Sequence, residues 1–266
     1  MYAKSLFKFL AMKLVEFRAP RFSWTAAVLL MAVLSVKGNA QLPIKIRTAI
    51  SKGNSQDAVK LLSHAIKASP DEATLYYHRG SEHFRINKIA ESLADFDRYV
   101  KLQPRMESQQ WKRGITAYYA AEYQKGSDQF KLYQTYHGND VENAVWKAMC
   151  DAKLHGFDKA SKKILPIRND RRPPMMEIYS MFKGEMKPDE VLTVAQEFAE
   201  ASKDHSPLFY AHQYVGLFYE ANKKPDRAET HMAKAVKLKI DHYMWDVARV
   251  HLERLKASKT EAAKKK

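Results

Sequence analysis

The stretch that decides the fold is residues 70–137, which read PDEATLYYHRGSEHFRINKIAESLADFDRYVKLQ and then PRMESQQWKRGITAYYAAEYQKGSDQFKLYQTYH. Four matches between the two halves share a spacing of 34 residues: Pro70 with Pro104, Arg79-Gly80 with Arg113-Gly114, Phe96 with Phe130, and Tyr99 with Tyr133. Such agreement at one spacing indicates an internal repeat. A period of about 20 to 50 residues is typical of stacked repeat architectures.

The repeated residue types suit a unit of two antiparallel helices. A glycine in the first helix, as at Gly80, Gly114 and Gly216, permits a close approach of the second helix. An aromatic residue in the second helix, as at Phe96 and Phe130, fills the space toward the next unit. The closing prolines end the second helix, because proline disfavours helical geometry in the residue before it.

The register predicts helix pairs along residues 41–256. A weak leading helix at 43–52 precedes the pattern Ala58, Leu62, Ala65 and Pro70, and two regular units follow. Asp140 is a plausible N-cap for a fourth unit with helices at 141–154 and 158–165. The remaining predicted elements are a degenerate pair at 175–183 and 188–203, a regular unit around Gly216 and Ala228, and a capping helix at 243–256.

On these residues the chain resembles the tetratricopeptide-repeat superfamily, which implies an all-α superhelical solenoid of antiparallel helix pairs. A weaker resemblance is to the NlpI-type repeat proteins of the bacterial cell envelope. It rests on residues 143–146, 176–184, 214–219 with Ala228, and 242–243. That family implies an exported adaptor that docks peptidoglycan hydrolases or proteases. Its members are lipoproteins, and this chain lacks the cysteine to which the lipid is attached.

Residues 1–40 are predicted to be an export signal. An uncharged apolar run at 25–36 is too short to span a bilayer and has the length of a signal-peptide core. Arg18 and Arg21 precede it, and Gly38 and Ala40 occupy the −3 and −1 positions of a cleavage before Gln41. We therefore expect a periplasmic or secreted protein. The alternative is a buried or membrane-anchoring N-terminal helix.

The formal net charge of +15 is concentrated toward the two ends of the chain. Residues 1–40 carry six basic residues against one acidic residue, and residues 256–266 carry five against one. We predict that residues 257–266 form a disordered basic tail, because they have no apolar stripe. The tail either is a solvated chain end or attracts an anionic partner electrostatically.

A search for chemical sites gives no catalytic or cofactor motif. The sequence has no HExxH, nucleophile elbow, phosphate-binding loop or dinucleotide fingerprint. Its single cysteine, Cys150, lies in an apolar stretch typical of a buried residue. His78 and His83 are five residues apart, which does not place them on one helix face. We predict no enzyme, no metal site and no cofactor.

The predicted function is protein or peptide binding in the groove formed by the first helix of each pair. By register, eight residues are predicted to contact the partner: Tyr77, Ser81, Arg85, Ser108, Trp111, Lys112, Ile115 and Tyr119. Aromatic and arginine side chains are favoured interface anchors. Repeat clamps for chaperone C-terminal carboxylates have a Lys and Asn pair where this chain has Tyr77 and Ser81, so chaperone docking is not predicted.

A second hypothesis is binding of an anionic envelope polymer or membrane surface. Arg168, Arg171 and Arg172 cluster in one predicted loop, and arginine offers a fork of donors to carboxylate or phosphate. The structural alternative is a solvated loop. Salt dependence separates the two functions, because polyanion binding weakens steeply with salt and an apolar groove contact does not.

Overall fold

The computed structural model describes residues 42–264, and within that range the regular elements are all helical. The elements, in chain order, are α1 (Ile44–Ser51), α2 (Ser55–Ala68), α3 (Ala73–Arg85), α4 (Ile89–Leu102), a 3-10 turn (Pro104–Gln109), α5 (Trp111–Tyr119), α6 (Tyr123–Tyr136), α7 (Val141–His155), α8 (Phe157–Lys162), α9 (Met175–Lys183), α10 (Pro188–Ser202), α11 (Ser206–Ala221), α12 (Pro225–Lys237) and α13 (Tyr243–Lys264). The predicted all-α solenoid is confirmed.

Successive helices pack as pairs, α1 with α2, α3 with α4, α5 with α6, α7 with α8, and α11 with α12. The degenerate pair predicted at 175–183 and 188–203 is present as α9 and α10. Most of the core is one continuous cluster that runs from Phe84 to Leu252. A smaller cluster around Leu62 joins α1 and α2 to the start of α3.

Gly114 shows why the first helix of a pair needs a glycine. A Cβ atom built on Gly114 would lie 2.7 Å from Cζ of Phe130, the repeated aromatic residue of the second helix. That separation is far shorter than a carbon–carbon contact of about 3.5 to 4.0 Å. The glycine and the phenylalanine that the spacing identified therefore form one contact between the two helices.

The repeated arginines hold neighbouring units together. Arg79 donates to Asp95, sixteen residues later, at 2.7 and 2.9 Å and to Ser63, sixteen residues earlier, at 3.1 Å. Arg113 reproduces the arrangement one repeat later, with Gln129 at 2.7 Å and Asp97 at 2.6 Å. Each guanidinium thus connects the second helix of its own unit to that of the preceding unit.

The last helix, α13, extends beyond its predicted end. It was expected to stop at Lys256 before a disordered tail, but the structure continues it to Lys264. Residues 257–264 add no apolar stripe, yet Lys259 lies 2.9 Å from Asp226 and 3.3 Å from Glu229 on α12. These ion pairs tie the extension to the preceding helix. Residues 265–266 lie outside the described part.

The predicted export signal at 1–40 also lies outside the described residues, so its cleavage and the predicted location stay predictions. Among residues 42–264, we find no helix with the length and apolar character needed to cross a bilayer.

Candidate functional site

The candidate site is the inner face of the solenoid, which we define as the surface formed by α3, α5, α7 and α11. The first helices of the pairs are predicted to line a concave binding groove. In the structure, α13 lies against part of this face, and its residues Tyr243, Met244, Val247, Val250 and Leu252 are buried. We call the area in contact with α13 the covered part and the remainder, around Trp111, the open part.

Arg85 anchors α13 to the covered part. Its Nε donates to Asp246 at 2.8 Å, and its guanidinium also pairs with the buried Glu82. In the other direction, Arg249 of α13 donates to the main-chain carbonyl of Arg85. The side chain predicted to contact a partner thus holds a helix of its own chain.

Lys112 sits among aromatic rings in the same part. Its Nζ lies 4.3 Å from the ring centre of Tyr243 and 4.8 Å from that of Tyr77, and it donates to the Ser81 hydroxyl at 3.3 Å. Burial, with a contribution from the charge of Arg85, lowers the pKa of Lys112 to about 8. The faces of the two tyrosine rings stabilise the protonated, positively charged form of the Lys112 amine.

Tyr119 belongs to a buried polar network at the far end of the covered part. Its hydroxyl lies 2.9 Å from Nδ1 of His251, whose Nε2 lies 3.1 Å from the carboxylate of Glu220. Lys153 donates to the same carboxylate at 2.8 Å. Burial by itself would raise the pKa of Glu220, but His251 and Lys153 outweigh it and bring the pKa to about 2.

The open part contains a cavity of about 340 Å³ beside the start of α13. Its lining residues are Trp111, Ile115, Phe130, Tyr133, Asp140, Glu142, Asn143, Trp146, Arg172, Tyr210, His242 and Met244. The volume lies at the lower end of the range of about 300 to 1,000 Å³ that is usual for ligand pockets, and mixed aromatic and polar walls are also typical of such pockets.

Two carboxylates and one guanidinium form the charged wall of this cavity. Arg172 donates to Asp140 at 2.8 Å, to Glu142 at 2.7 Å and to the buried Asp170 at 2.6 Å. Glu142 also accepts from the Tyr214 hydroxyl at 2.6 Å. Burial raises the pKa of Glu142 against the opposing effect of Arg172, whereas Arg172 keeps the pKa of Asp170 below its ordinary value despite burial.

The predicted partner-binding residues lie in different parts of the inner face. Trp111 and Ile115 line the open cavity. Five others lie in the covered part: Tyr77, Ser81, Arg85, Lys112 and Tyr119. Ser108 is half-buried in the 3-10 turn and lines none of the cavities described here. The groove predicted from the repeat register is therefore partly filled by α13.

The predicted anion-binding arginines are also divided. Arg168 and Arg171 are exposed in the loop before α9. Arg172 differs from the prediction, because its donors are engaged by the three carboxylates Asp140, Glu142 and Asp170. Asp140 and Glu142 come from positions 32 and 30 residues away, which the composition of the loop does not reveal, whereas Asp170 is two residues away in the loop itself.

Residues that the sequence reasoning did not assign to the site include Asn143, Trp146, Tyr210 and His242. One signal was available for two of them, because Asn143 and Trp146 are three residues apart on the first helix of a pair and share a face. Across residues 42–264, no group of three or more histidine, cysteine, aspartate or glutamate side chains has an arrangement suited to a metal ion.

No family model matches the chain. Among curated proteins, it is 25% identical over 115 residues to a Protein SGT1 homolog of Oryza sativa, a match to 43% of this chain and 31% of that protein. It is 21% identical over 151 residues to the Hsp70-Hsp90 organizing protein of Triticum aestivum, covering 56% of this chain and 26% of that protein. The matches therefore span about a third or less of the length of these relatives.

Among solved structures, a tetratricopeptide repeat protein from Parabacteroides merdae superposes with a TM-score of 0.50 at 13% identity, over 86% of this chain and 89% of that chain. Likeness at this level concerns the fold. Together with the 34-residue register and its glycine–aromatic contacts, it defines the class of protein. The chain has the tetratricopeptide-repeat fold.

Proposed function

We propose that this chain is a protein-binding scaffold and that it holds a segment of its partner at the open part of the inner face. The observation that carries the proposal is the 340 Å³ cavity between Trp111 and Trp146, which leaves an aromatic and polar surface uncovered by α13. Half-buried aromatic residues are favoured anchors for a partner, because they bury a large area at little cost in side-chain entropy.

In its finer form, the proposal is an exported adaptor for envelope hydrolases or proteases. It is motivated by the apolar run at 25–36 with the small residues Gly38 and Ala40, and by the resemblance at residues 143–146. N-terminal sequencing of the native protein should then begin at or near Gln41. A mature protein that retains residues 25–36 would contradict a cleaved export signal.

The binding test compares Trp111→Ala with Phe198→Ala. Trp111 lies in the open part, whereas Phe198 on α10 is an aromatic residue with 43% exposure outside the cavity. A partner identified by pull-down from envelope extract should be purified and titrated against each variant. We expect Trp111→Ala to weaken binding of the purified partner about tenfold or more, and Phe198→Ala to leave it unchanged.

Circular dichroism on both variants separates loss of binding from loss of fold. Equal affinities of the two variants with intact helicity would place the partner elsewhere on the molecule. Loss of helicity in Trp111→Ala would instead identify Trp111 as a core residue. In that case Tyr210→Ala, a substitution of another residue that lines the cavity, provides the second test of the same site.

A second candidate function is binding of an anionic polymer through the exposed Arg168 and Arg171. The substitution Arg168→Gln with Arg171→Gln should weaken polyanion binding and reduce its dependence on salt. The control is Lys60→Gln on α2, an exposed cation far along the sequence from this loop. Equal salt dependence in the arginine variant and the wild type would exclude this loop as the polymer site.

A further inference from the structure

Two buried polar atoms on α7 have no hydrogen-bond partner within the protein. They are Oδ1 of Asn143 and Nε1 of Trp146, on residues that are 2% and 1% exposed. Of the described residues with such an atom, these are the two that line the open cavity. Because an unsatisfied buried polar group is costly, the pair indicates that the cavity is built to receive a partner group.

The two atoms present one acceptor and one donor. The amide nitrogen of Asn143 already donates to Gln134 at 2.9 Å, which leaves its oxygen as the acceptor. The indole N–H of Trp146 is a donor only. A peptide group has the complementary pair, since its N–H can donate to Asn143 and its carbonyl can accept from Trp146.

The charged residues of the cavity favour a cation. Asp140 and Glu142 line it together with Arg172, which also pairs with Asp170, so three carboxylates share one guanidinium. Nδ1 of His137 lies 3.9 Å from the Asp140 carboxylate. His242 adds no compensating charge at neutral pH, because burial lowers its pKa. On the side of Trp111, Nζ of Lys112 lies 5.6 Å from the centre of the indole ring.

The walls suit the same ligand. Trp111, Tyr133 and Tyr210 line the cavity together with the carboxylates, and the faces of aromatic rings attract organic cations. The volume of 340 Å³ equals that of about ten water molecules, at roughly 30 Å³ each. The cavity therefore has room for one amino-acid side chain with its peptide groups and is too small for a helix about 10 Å wide.

We propose that the cavity binds a lysine or arginine side chain, with its adjoining peptide group, from an extended segment of the partner protein. This inference rests on the proposed scaffold function and names the chemistry of its site. The basic side chain lies toward Asp140 and Glu142, and the peptide group bonds to Asn143 and Trp146.

The indole resonances of the full chain report binding directly. The chain has four tryptophans, and Trp245 donates to the carbonyl of Val236 at 3.0 Å, so its resonance is an internal control. The probes are the Nα-acetyl N-methylamides of lysine, arginine, norleucine and glutamate. We expect the lysine or arginine probe to shift the Trp146 indole proton and leave that of Trp245 unmoved.

The ratio of the affinities for the basic and the norleucine probes tests whether the cavity prefers a positively charged side chain. The basic probe should bind about tenfold or more tightly than the norleucine probe, and the glutamate probe should bind least. Glu142→Gln should bring the ratio of lysine to norleucine toward one, whereas Glu91→Gln on the exposed side of α4 should not change it. The comparison of probes on the wild-type chain needs no variant and stands if Glu142→Gln fails to fold.

Three results would overturn the inference: equal affinity for the lysine and norleucine probes, tighter binding of the glutamate probe, or a Trp146 resonance that no probe moves. The scaffold function fails separately, if Trp111→Ala keeps full affinity for the purified partner. A partner that binds through Trp111 while no basic probe moves Trp146 would therefore contradict the cation site alone.

Discussion

The covered and open parts of the inner face are built from equivalent helices but have different neighbours. In the covered part, Arg85 and Tyr119 contact Asp246 and His251 of α13. In the open part, Asn143 and Trp146 face a cavity and lack hydrogen-bond partners within the protein. The difference indicates that one stretch of a repeat groove can be completed by the protein's own helix while the next stays available to a ligand.

The largest expected effect is the loss of α13. A chain that ends at Ile240 would lose the buried Tyr243, Met244, Val247, Val250 and Leu252 and would expose their neighbours on the inner face. At about 1.5 to 3 kcal/mol for each large buried side chain, the loss approaches the total stability of a domain. We expect aggregation or a markedly lower melting temperature in calorimetry. An unchanged melting temperature would show that α13 does not complete the fold.

A matched pair of Tyr→Phe substitutions compares how much one tyrosine hydroxyl contributes to the free energy of unfolding in the covered and the open part. Tyr119→Phe removes a buried hydroxyl 2.9 Å from His251, whereas Tyr210→Phe removes a solvent-accessible hydroxyl 3.3 Å from His242. We expect a loss of about 1 to 3 kcal/mol for Tyr119→Phe, because Nδ1 of the buried His251 loses its hydroxyl partner, and less than about 0.5 kcal/mol for Tyr210→Phe. Denaturant unfolding gives both values. Similar losses would contradict the division of the inner face.

The buried amine of Lys112 gives the covered part a pH dependence. Its pKa of about 8 in the folded protein lies below the ordinary lysine value of 10.5, so the unfolded chain binds more protons between these values and stability rises with pH. The free energy of unfolding should increase by about 2 kcal/mol between pH 7.5 and 9.5, a range that lies below the ordinary pKa of tyrosine. Lys112→Met should lack this increase in denaturant unfolding at the two pH values. An equal increase in the wild type and in Lys112→Met would show that other titratable groups cause the pH dependence.

The smallest effect is expected for the end of α13. A chain that stops at Lys256 loses the pairs of Lys259 with Asp226 and Glu229, in which the lysine side chain is 64% exposed. Exposed ion pairs contribute about 0 to 1 kcal/mol, so the melting temperature should hardly change. A marked decrease in melting temperature would show that residues after Lys256 also stabilise the fold.

Much of the solenoid was predictable because its signals are local. The helices predicted at 141–154 and at 175–183 are observed at Val141–His155 and Met175–Lys183. Gly114 permits the predicted close approach of the second helix, and Phe130, which was predicted to fill the space toward the next unit, packs against this glycine of its own unit. The end of α13 was predicted eight residues too early. The prediction relied on an apolar stripe, whereas the extension is held by ion pairs to α12.

The candidate site was less predictable, because its partners are far apart in sequence. The register identified Trp111 and Ile115, but it gave no sign that Arg85 meets Asp246, 161 residues later. The loop arginines look alike in sequence and all three are exposed, yet Arg172 is paired with three carboxylates.

The sequence by itself determined the period, the helix pairs and the residues at their contacts, since each follows from residue types a fixed distance apart. Tertiary structure alone decided which part of the inner face is covered. An amphipathic helix such as α13 must bury its apolar face, but its sequence does not state against which surface. The packing of α13 on α3, α5 and α11 makes that choice, and it leaves the cavity beside Trp146 open.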